Sequence, residues 1–85
     1  MPYQIGWVRV AARGFDGLPD TVQQRIERAV DALATDPRPR GIQAVASGAG
    51  ALRIRVGDYR VIYEVDDDAR IVRILKVAHR REVHR

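Results

Sequence analysis

Apolar residues recur along this chain first with the spacing of a strand, then with that of a helix, and finally as strands again. Near the start, Tyr3, Ile5 and Trp7 alternate with small or polar residues, which predicts a short half-buried strand. A helical repeat of apolar residues follows at 11–18, although two glycines make this helix dependent on tertiary contacts. The chain is therefore predicted to begin with a strand and a weak helix.

The strongest helical pattern spans residues 19–35. Asp20 is predicted to cap its first turn, with Gln23 reaching back, and Asp36 followed by Pro37 ends it. The polar face mixes charge signs, so we expect it to be solvated rather than bound to a membrane. One apolar stripe runs along the other face: Val22, Ile26, Ala29, Val30 and Leu33.

Residues 36–50 are predicted to be a loop. Two prolines and three glycines exclude a regular element across most of it, and Ile42 and Val45 are expected to anchor it to the core. The Gly-Ala-Gly sequence at 48–50 lacks the Lys-Ser/Thr end of a phosphate-binding loop. We therefore interpret it as a linker or the lead-in to the next strand.

Residues 52–65 are predicted to form a β-hairpin. Aliphatic residues alternate with Arg53 and Arg55 in its first strand, and Gly-Asp at 57–58 supplies a two-residue turn. The second strand continues the aliphatic face and places Arg60 on the opposite one. The hairpin thus has one apolar face and one arginine-rich face.

A last strand, residues 71–78, follows a turn of three aspartates. Both the odd-numbered and the even-numbered positions of this strand are apolar apart from Arg73 and Lys76. This pattern is typical of a central strand covered on both faces. The remaining tail, residues 79–85, is polar. The predicted order is strand, helix, helix, strand, strand, strand within one domain, residues 1–85.

This order predicts an α+β fold in which two helices pack on one face of a small, antiparallel-rich sheet. The other face is left open, and strand alternation places guanidinium groups on it. Such groups on a rigid sheet suit a phosphodiester whose negative charge increases in the transition state. The alternative is a solvated face in which the arginines pair with Glu64 and the turn aspartates. The arginines expected there are Arg53, Arg55 and Arg60, joined by Arg80 and Arg81 from the end of the last strand.

The charge balance favours a nucleic-acid partner. The chain has 15 basic and 11 acidic residues, a net charge of +4 and a pI near 10.3, and its only lysine is Lys76. Arginine matches phosphate bidentately and stacks on bases. Residues 1–52 carry six arginines and five acids, a net of +1, whereas residues 53–85 carry nine basic and six acidic residues, a net of +3. A coding bias towards arginine is the alternative explanation.

Other functional classes are excluded by what the sequence lacks. Without cysteine there is no disulfide, thiolate zinc site or cysteine nucleophile, and a reducing cytoplasm is the expected location. No apolar run approaches the roughly 20 residues that span a bilayer, and the N-terminal residues do not match a signal peptide. Two histidines, His79 and His84, make a poor metal site without a clear acidic third ligand. We expect no metal or other cofactor.

Two motifs resemble a known family: Arg-x-Arg-Val-Gly-Asp-Tyr-Arg-Val-Ile-Tyr at 53–63 and Val-Ala-His-Arg-Arg-Glu-Val at 77–83. With the acidic turn and the helix pair, they resemble the RelE branch of the RelE/ParE superfamily, the toxins of bacterial type II toxin–antitoxin pairs. The resemblance covers the whole chain, but its specific motifs lie within residues 52–85. It implies a RelE-like fold and an endoribonuclease that cuts mRNA in the ribosomal A site without a metal.

The resemblance also implies roles for individual residues. In this family a ribose 2′-OH attacks the adjacent phosphate and leaves a cyclic phosphate. Arg53 and Arg55 correspond to a basic pair that holds the RNA backbone and assists proton transfer, and Arg60 to the arginine that stabilises the pentavalent phosphate. Either Arg80 or Arg81 corresponds to the catalytic arginine of the terminal motif. Further RNA contacts are expected from three basic residues: Arg73, Lys76 and Arg85.

Position 84 departs from the family pattern. Many relatives have a tyrosine there that stacks on the base and takes part in catalysis, whereas this chain has His84. Histidine can act as a general acid or base near neutral pH, or the change marks lost activity. His79 is expected to orient the tail by hydrogen bonding.

A partner and two alternative functions follow from the same resemblance. A small acidic antitoxin, RelB-like or similar, is expected to inhibit the toxin, and the ribosome and mRNA are its expected targets. The first alternative is inhibition of DNA gyrase without nuclease activity, as in the ParE branch. The second is a catalytically degenerate module.

Overall fold

A computed structural model describes residues 2–45 and 50–83 of the chain. Two helices and a five-stranded sheet account for most of these residues. The elements are β1 Gln4–Trp7, α1 Arg9–Asp16, α2 Asp20–Thr35, β2 Gln43–Ala44, β3 Leu52–Val56, β4 Tyr59–Asp66, β5 Ile71–His79 and a final helical turn, α3 Arg80–Val83. Residues 48 and 49 of the Gly-Ala-Gly sequence lie outside the described ranges.

The strands are ordered β1-β5-β4-β3-β2. β1 is parallel to β5, and the other neighbouring pairs are antiparallel. The helices α1 and α2 cover one face of this sheet and enclose the core between them and the strands. The predicted α+β fold is therefore confirmed. The largest fully buried side chains are Tyr63, Ile26, Leu33, Ile74, Val30, Val61 and Val72.

The short strand β2 was not predicted. It lies in the segment that the prolines and glycines marked as a loop, where Gln43 pairs with Arg53 and Ala44 with Leu52. Two residues are too few to produce an alternating pattern, so only the pairing with β3 defines this strand. Because β2 pairs with β3 in this register, Gln43 lies beside Arg53 on the open face.

The polar chain end contains a helical turn that the sequence did not predict. Residues 80–83 form one helical turn, α3. The Arg80 backbone N–H donates to the Asp58 carbonyl oxygen at 2.7 Å, which holds the start of α3 against the β3–β4 turn. This contact joins residues far apart in sequence, so no local pattern predicts it.

The predicted cap of α2 is wrong. Helix α2 begins at Asp20, Pro19 occupies the N-cap, and no side chain in the described parts of the chain caps the first turn. The Gln23 amide instead donates to the carbonyl oxygens of Phe15 at 2.9 Å and Asp16 at 3.3 Å. The last carbonyls of a helix lack partners within it, and the tight α1–α2 connection brings those of α1 within reach of Gln23.

A register shift explains why β5 is apolar at both parities. The β4–β5 pairing changes between Ile62, opposite Lys76, and Tyr63, opposite Ile74, which leaves Leu75 as an extra residue. Such an irregularity reverses which parity faces the core. The apolar residues at both parities of β5 therefore come from the register shift, and the interpretation that the strand is covered on both faces is wrong. Lys76, on the open face, is exposed.

Candidate functional site

The open face of the sheet carries a small concavity, which we call the arginine depression. Its volume is about 170 Å³. No acidic residue among the described side chains lines it, so its local charge is strongly positive. The lining residues are Gly41, Gln43, Arg53, Arg55 and Arg60.

Strand pairing sets the positions of the three arginines. Arg55 and Arg60 lie directly opposite each other in the β3–β4 hairpin, and Arg53 is two residues away on the same strand, opposite Ile62. Side chains that face each other in this way have Cβ atoms about 4.5–5.5 Å apart, and like charges there repel. A bound anion would remove this repulsion.

Arg60 differs from the other two in having a buried donor without an acceptor. Its side chain is half-buried, and its Nη1 atom is fully buried with no hydrogen-bond partner among residues 2–45 and 50–83. A buried donor without an acceptor costs about 1–3 kcal/mol. Because Arg60 also lines the depression, a guanidinium group that turns towards a phosphate there would give this donor an acceptor, so Arg60 is the best candidate for a phosphate-binding group.

Gln43 and Gly41 are lining residues that the sequence did not identify. Arg53 Nη2 donates to Gln43 Oε1, which orients the guanidinium group along the wall of the depression. Gly41 has a φ of 89°, a left-handed conformation that favours glycine. The only sequence signal was the Ile42 and Val45 pair, which pointed to an anchored segment but not to a strand.

A hydrogen bond from the core positions this loop. The Tyr63 hydroxyl donates to the Pro37 carbonyl oxygen at 2.7 Å. Burial raises the pKa of Tyr63 from 10.0 to about 12. Because Pro37 lies four residues before Gly41, the buried tyrosine helps to fix the wall of the arginine depression.

The turn aspartates do not neutralise the depression. Asp67 accepts from Arg38 at 3.2 and 3.0 Å and from the Tyr3 hydroxyl at 2.6 Å. Hydrogen bonding from Arg38, and then from Tyr3, lowers the pKa of Asp67. Asp66 accepts from the Ala69 backbone N–H at 2.9 Å. The alternative of a self-neutralised open face is therefore wrong for the three arginines of the depression.

That alternative is correct for Arg73. Its Nη1 atom lies 2.6 Å from Glu64 Oε1 in the neighbouring strand, so its charge is already paired. Lys76 is exposed on the same face, opposite Ile62. Neither residue lines the arginine depression. Their predicted contacts with RNA stay predictions.

The terminal arginines lie at the turn end of the hairpin. The Arg80 guanidinium is 4.0 Å from the Asp58 carboxylate. The Arg81 backbone N–H donates to His79 Nδ1 at 3.3 Å, which agrees with the predicted role of His79 in orienting the tail. Neither arginine lines the depression. His84 and Arg85 lie outside the described residues, and their predicted roles stay predictions.

The chain is similar to known toxins along its whole length. The family described as the ParE toxin of the type II toxin–antitoxin system parDE matches residues 7–84. Toxin RelG of Mycobacterium tuberculosis is 33% identical over 100% of this chain and 99% of the relative. Toxin RelE of the same organism is 31% identical over 99% of this chain and 88% of the relative.

Solved structures extend this similarity to the fold. The toxin–antitoxin complex RelBE2 of Mycobacterium tuberculosis contains a chain with a TM-score of 0.82 and 28% identity, covering 93% of this chain and 99% of that one. The RelE–RelB complex of Pyrococcus horikoshii OT3 also gives 0.82 and 28%, covering 94% and 97%. The toxin–antitoxin complex RelBE of E. coli, with a TM-score of 0.80 and 19% identity over 91% and 95%, supports the fold alone.

Proposed function

The chain belongs to the RelE/ParE family of type II toxin–antitoxin toxins, on its RelE branch, and we propose that it is a metal-independent endoribonuclease that cuts mRNA on the ribosome. One observation supports this proposal more strongly than any other. It is Arg60, whose side chain lines a depression with two further arginines and whose buried Nη1 lacks an acceptor among the described residues. A phosphodiester supplies both the acceptor and the compensating charge.

The proposed reaction is an internal attack by the ribose. The 2′-oxygen forms a bond to the adjacent phosphorus while the bond from phosphorus to the 5′-oxygen breaks, giving a 2′,3′-cyclic phosphate and a 5′-hydroxyl. The 2′-OH gives its proton to a general base, and the leaving oxygen takes one from a general acid. Guanidinium groups stabilise the added negative charge of the pentavalent phosphate. Arg60 has this role, while Arg53 and Arg55 hold the backbone and assist proton transfer.

The terminal residues complete the proposal. Arg80 or Arg81 contributes a further positive charge, and His84 acts as general acid or base, since imidazole ionises near neutral pH. Cleavage by the wild type should then show an inflection near neutral pH that His84→Gln abolishes. An unchanged pH profile in the variant would remove His84 from the mechanism.

A cognate antitoxin is the partner of this toxin. The solved relatives are toxin–antitoxin complexes, which supports a RelB-like inhibitor for this chain. Since none of the described residues that line the arginine depression is acidic, we propose that acidic residues of the antitoxin cover it. Inhibition would then follow from occupation of the phosphate-binding site.

Mapping the 5′ ends of cellular mRNA after brief induction tests the nuclease function. We expect new ends within reading frames at A-site positions, recovered only after enzymatic phosphorylation because they carry a 5′-hydroxyl. Growth arrest with a DNA-damage response and no new ends would instead indicate gyrase inhibition. Expression without growth arrest would indicate a degenerate module, and either result would contradict the proposal.

A further inference from the structure

Gln43 differs in chemistry from the other side chains of the arginine depression. Among the described residues that line it, Gln43 alone has a polar side chain without a charge. It belongs to the edge strand β2, directly opposite Arg53 in β3, and its side chain is exposed. A ligand in the depression can therefore reach Gln43 without any change in the fold.

The hydrogen bond to Arg53 fixes the direction of the Gln43 amide. A guanidinium group has N–H donors and no acceptor, so the amide can face it only with its oxygen. Arg53 Nη2 accordingly donates to Gln43 Oε1, and the NH2 end of the amide faces away from Arg53. Within residues 2–45 and 50–83, no group accepts a hydrogen bond from Gln43 Nε2. The pair thus leaves two amide N–H donors free at the wall of the depression.

We propose that Gln43 contacts the substrate directly, with Nε2 donating to a non-bridging oxygen of the phosphodiester in the depression. The inference rests on the proposed function. Hydrogen bonds to an ionised acceptor are stronger than those between neutral groups. A neutral donor supplies one without adding to the repulsion among Arg53, Arg55 and Arg60. Because phosphate contacts carry no sequence information, the contact is the same for every base.

Binding of a labelled 2′-deoxy oligonucleotide, followed by fluorescence anisotropy, measures this contact without cleavage. Gln43→Met keeps the length of the side chain and removes its amide. We expect this variant to bind about tenfold more weakly, which corresponds to the loss of one hydrogen bond to a charged group. Gln24→Met makes the same change on the exposed face of α2 and should bind like the wild type.

A double-mutant cycle separates a direct contact from an effect that acts through Arg53. If Nε2 contacts the phosphate, Gln43→Met should still weaken binding about threefold or more when Arg53→Met is already present. Gln43→Glu is the complementary variant, because it keeps an oxygen acceptor for Arg53 and replaces the NH2 group. It should bind about tenfold more weakly than Gln24→Glu, which makes the same change of charge on α2. Circular dichroism and thermal unfolding verify that the variants fold.

Three results would overturn the proposal. The first is no further loss for Gln43→Met in the Arg53→Met background, which would limit Gln43 to orienting Arg53. The second is equal binding by Gln43→Glu and Gln24→Glu. The third is a loss confined to oligonucleotides rich in one base, which would assign Gln43 to base recognition.

The nuclease proposal can fail independently of the Gln43 contact. A toxin that shows the expected binding losses but leaves mRNA on programmed ribosomes intact would contradict the nuclease activity alone. A toxin that cuts this mRNA, while Gln43→Met binds the oligonucleotide as tightly as the wild type, would contradict the Gln43 contact alone.

Discussion

Arg60 has the properties expected of a residue retained for binding rather than for stability. Buried donors in folded proteins are almost always satisfied, yet Arg60 Nη1 has no acceptor within the described ranges and Arg55 lies directly opposite. Both features are unfavourable in the free protein and become favourable with an anion present. Stability and activity should therefore respond in opposite directions when Arg60 is replaced.

Arg60→Met tests this opposition. Removing an unsatisfied buried donor while keeping the aliphatic stem should raise the free energy of unfolding by up to about 1–3 kcal/mol, measured by urea denaturation. The same variant should lose mRNA cleavage. Arg28→Met, on the exposed face of α2, serves as the control and should change neither. A destabilised Arg60→Met protein would show that Arg60 has a structural role.

Tyr63 links the core to the loop that carries Gly41. Its pKa of about 12 lies above the ordinary 10.0, so the folded state holds this proton more tightly than the unfolded state. The corresponding stabilisation is present below pH 10 and is lost as the pH rises towards 12. Loss of the hydrogen bond to Pro37 in Tyr63→Phe should cost about 0.5–1.5 kcal/mol.

Unfolding of Tyr63→Phe between pH 8 and 12 gives the measurement. We expect the variant to lose the part of the alkaline destabilisation that the wild type owes to Tyr63. Tyr59→Phe is the control, because the Tyr59 hydroxyl makes no hydrogen bond within the described residues. Equal alkaline sensitivity of wild type and Tyr63→Phe would contradict this assignment.

At the scale of elements, the β3–β4 hairpin aligns the arginines. Gly57 has a φ of 60°, and Arg70 is the only described non-glycine residue with a positive φ. The turn therefore has its left-handed residue first, as predicted for a Gly-Asp turn. This turn sets the register that places Arg55 opposite Arg60.

Gly57→Ala should strain this turn. The added Cβ would lie 3.0 Å from Arg25 Nη1, and the positive φ disfavours alanine, so we expect a loss of about 1–3 kcal/mol in a thermal unfolding experiment. Gly6→Ala is the matched control. Its φ is ordinary and, apart from its two chain neighbours, no described residue has an atom within 4 Å of the new Cβ, so the change should be neutral or stabilise by up to about 1 kcal/mol. Equal effects would argue against a special role for the turn.

The arginine face of the hairpin could be predicted from the sequence, whereas its neighbouring elements could not. Strand alternation correctly placed Arg53, Arg55 and Arg60 on one face, because the period of a strand is fixed and the hairpin turn is encoded locally. Three features depend on partners distant in sequence and were missed: strand β2, helix α3 and the register shift at Leu75. Gln43 was missed for the same reason.

At the scale of the whole molecule, charge is divided between the two sides of the sheet. The open face holds the arginine depression, and the helix side holds a groove with three carboxylates at its rim. The net charge of +4 conceals this division. Of the candidate site, the sequence predicted the positive face, but not the acidic groove, whose residues come from β1, α1 and α2 and meet only through packing.

Salt dependence of RNA binding measures the positive face. For single strands the slope of log K against log salt is about −0.7 per neutralised phosphate, so three contacting arginines should give roughly −2. Arg55→Ala should make this slope less steep by about 0.7, measured by fluorescence anisotropy with a 2′-deoxy oligonucleotide that cannot be cut. Arg28→Ala should leave the slope unchanged. A slope near zero for the wild type would contradict phosphate binding by this face.

Cleavage on programmed ribosomes is the direct test of the proposed nuclease activity. Purified toxin, added to ribosomes that hold a defined mRNA with an empty A site, should cut within the A-site codon and leave a 5′-hydroxyl. Arg60→Ala should slow this cut by about 100-fold or more, the usual effect of removing one group that stabilises a developing oxyanion. Intact mRNA after incubation with the wild type would rule out the nuclease activity, and an equal rate of cutting by Arg60→Ala would rule out the role of Arg60 in it.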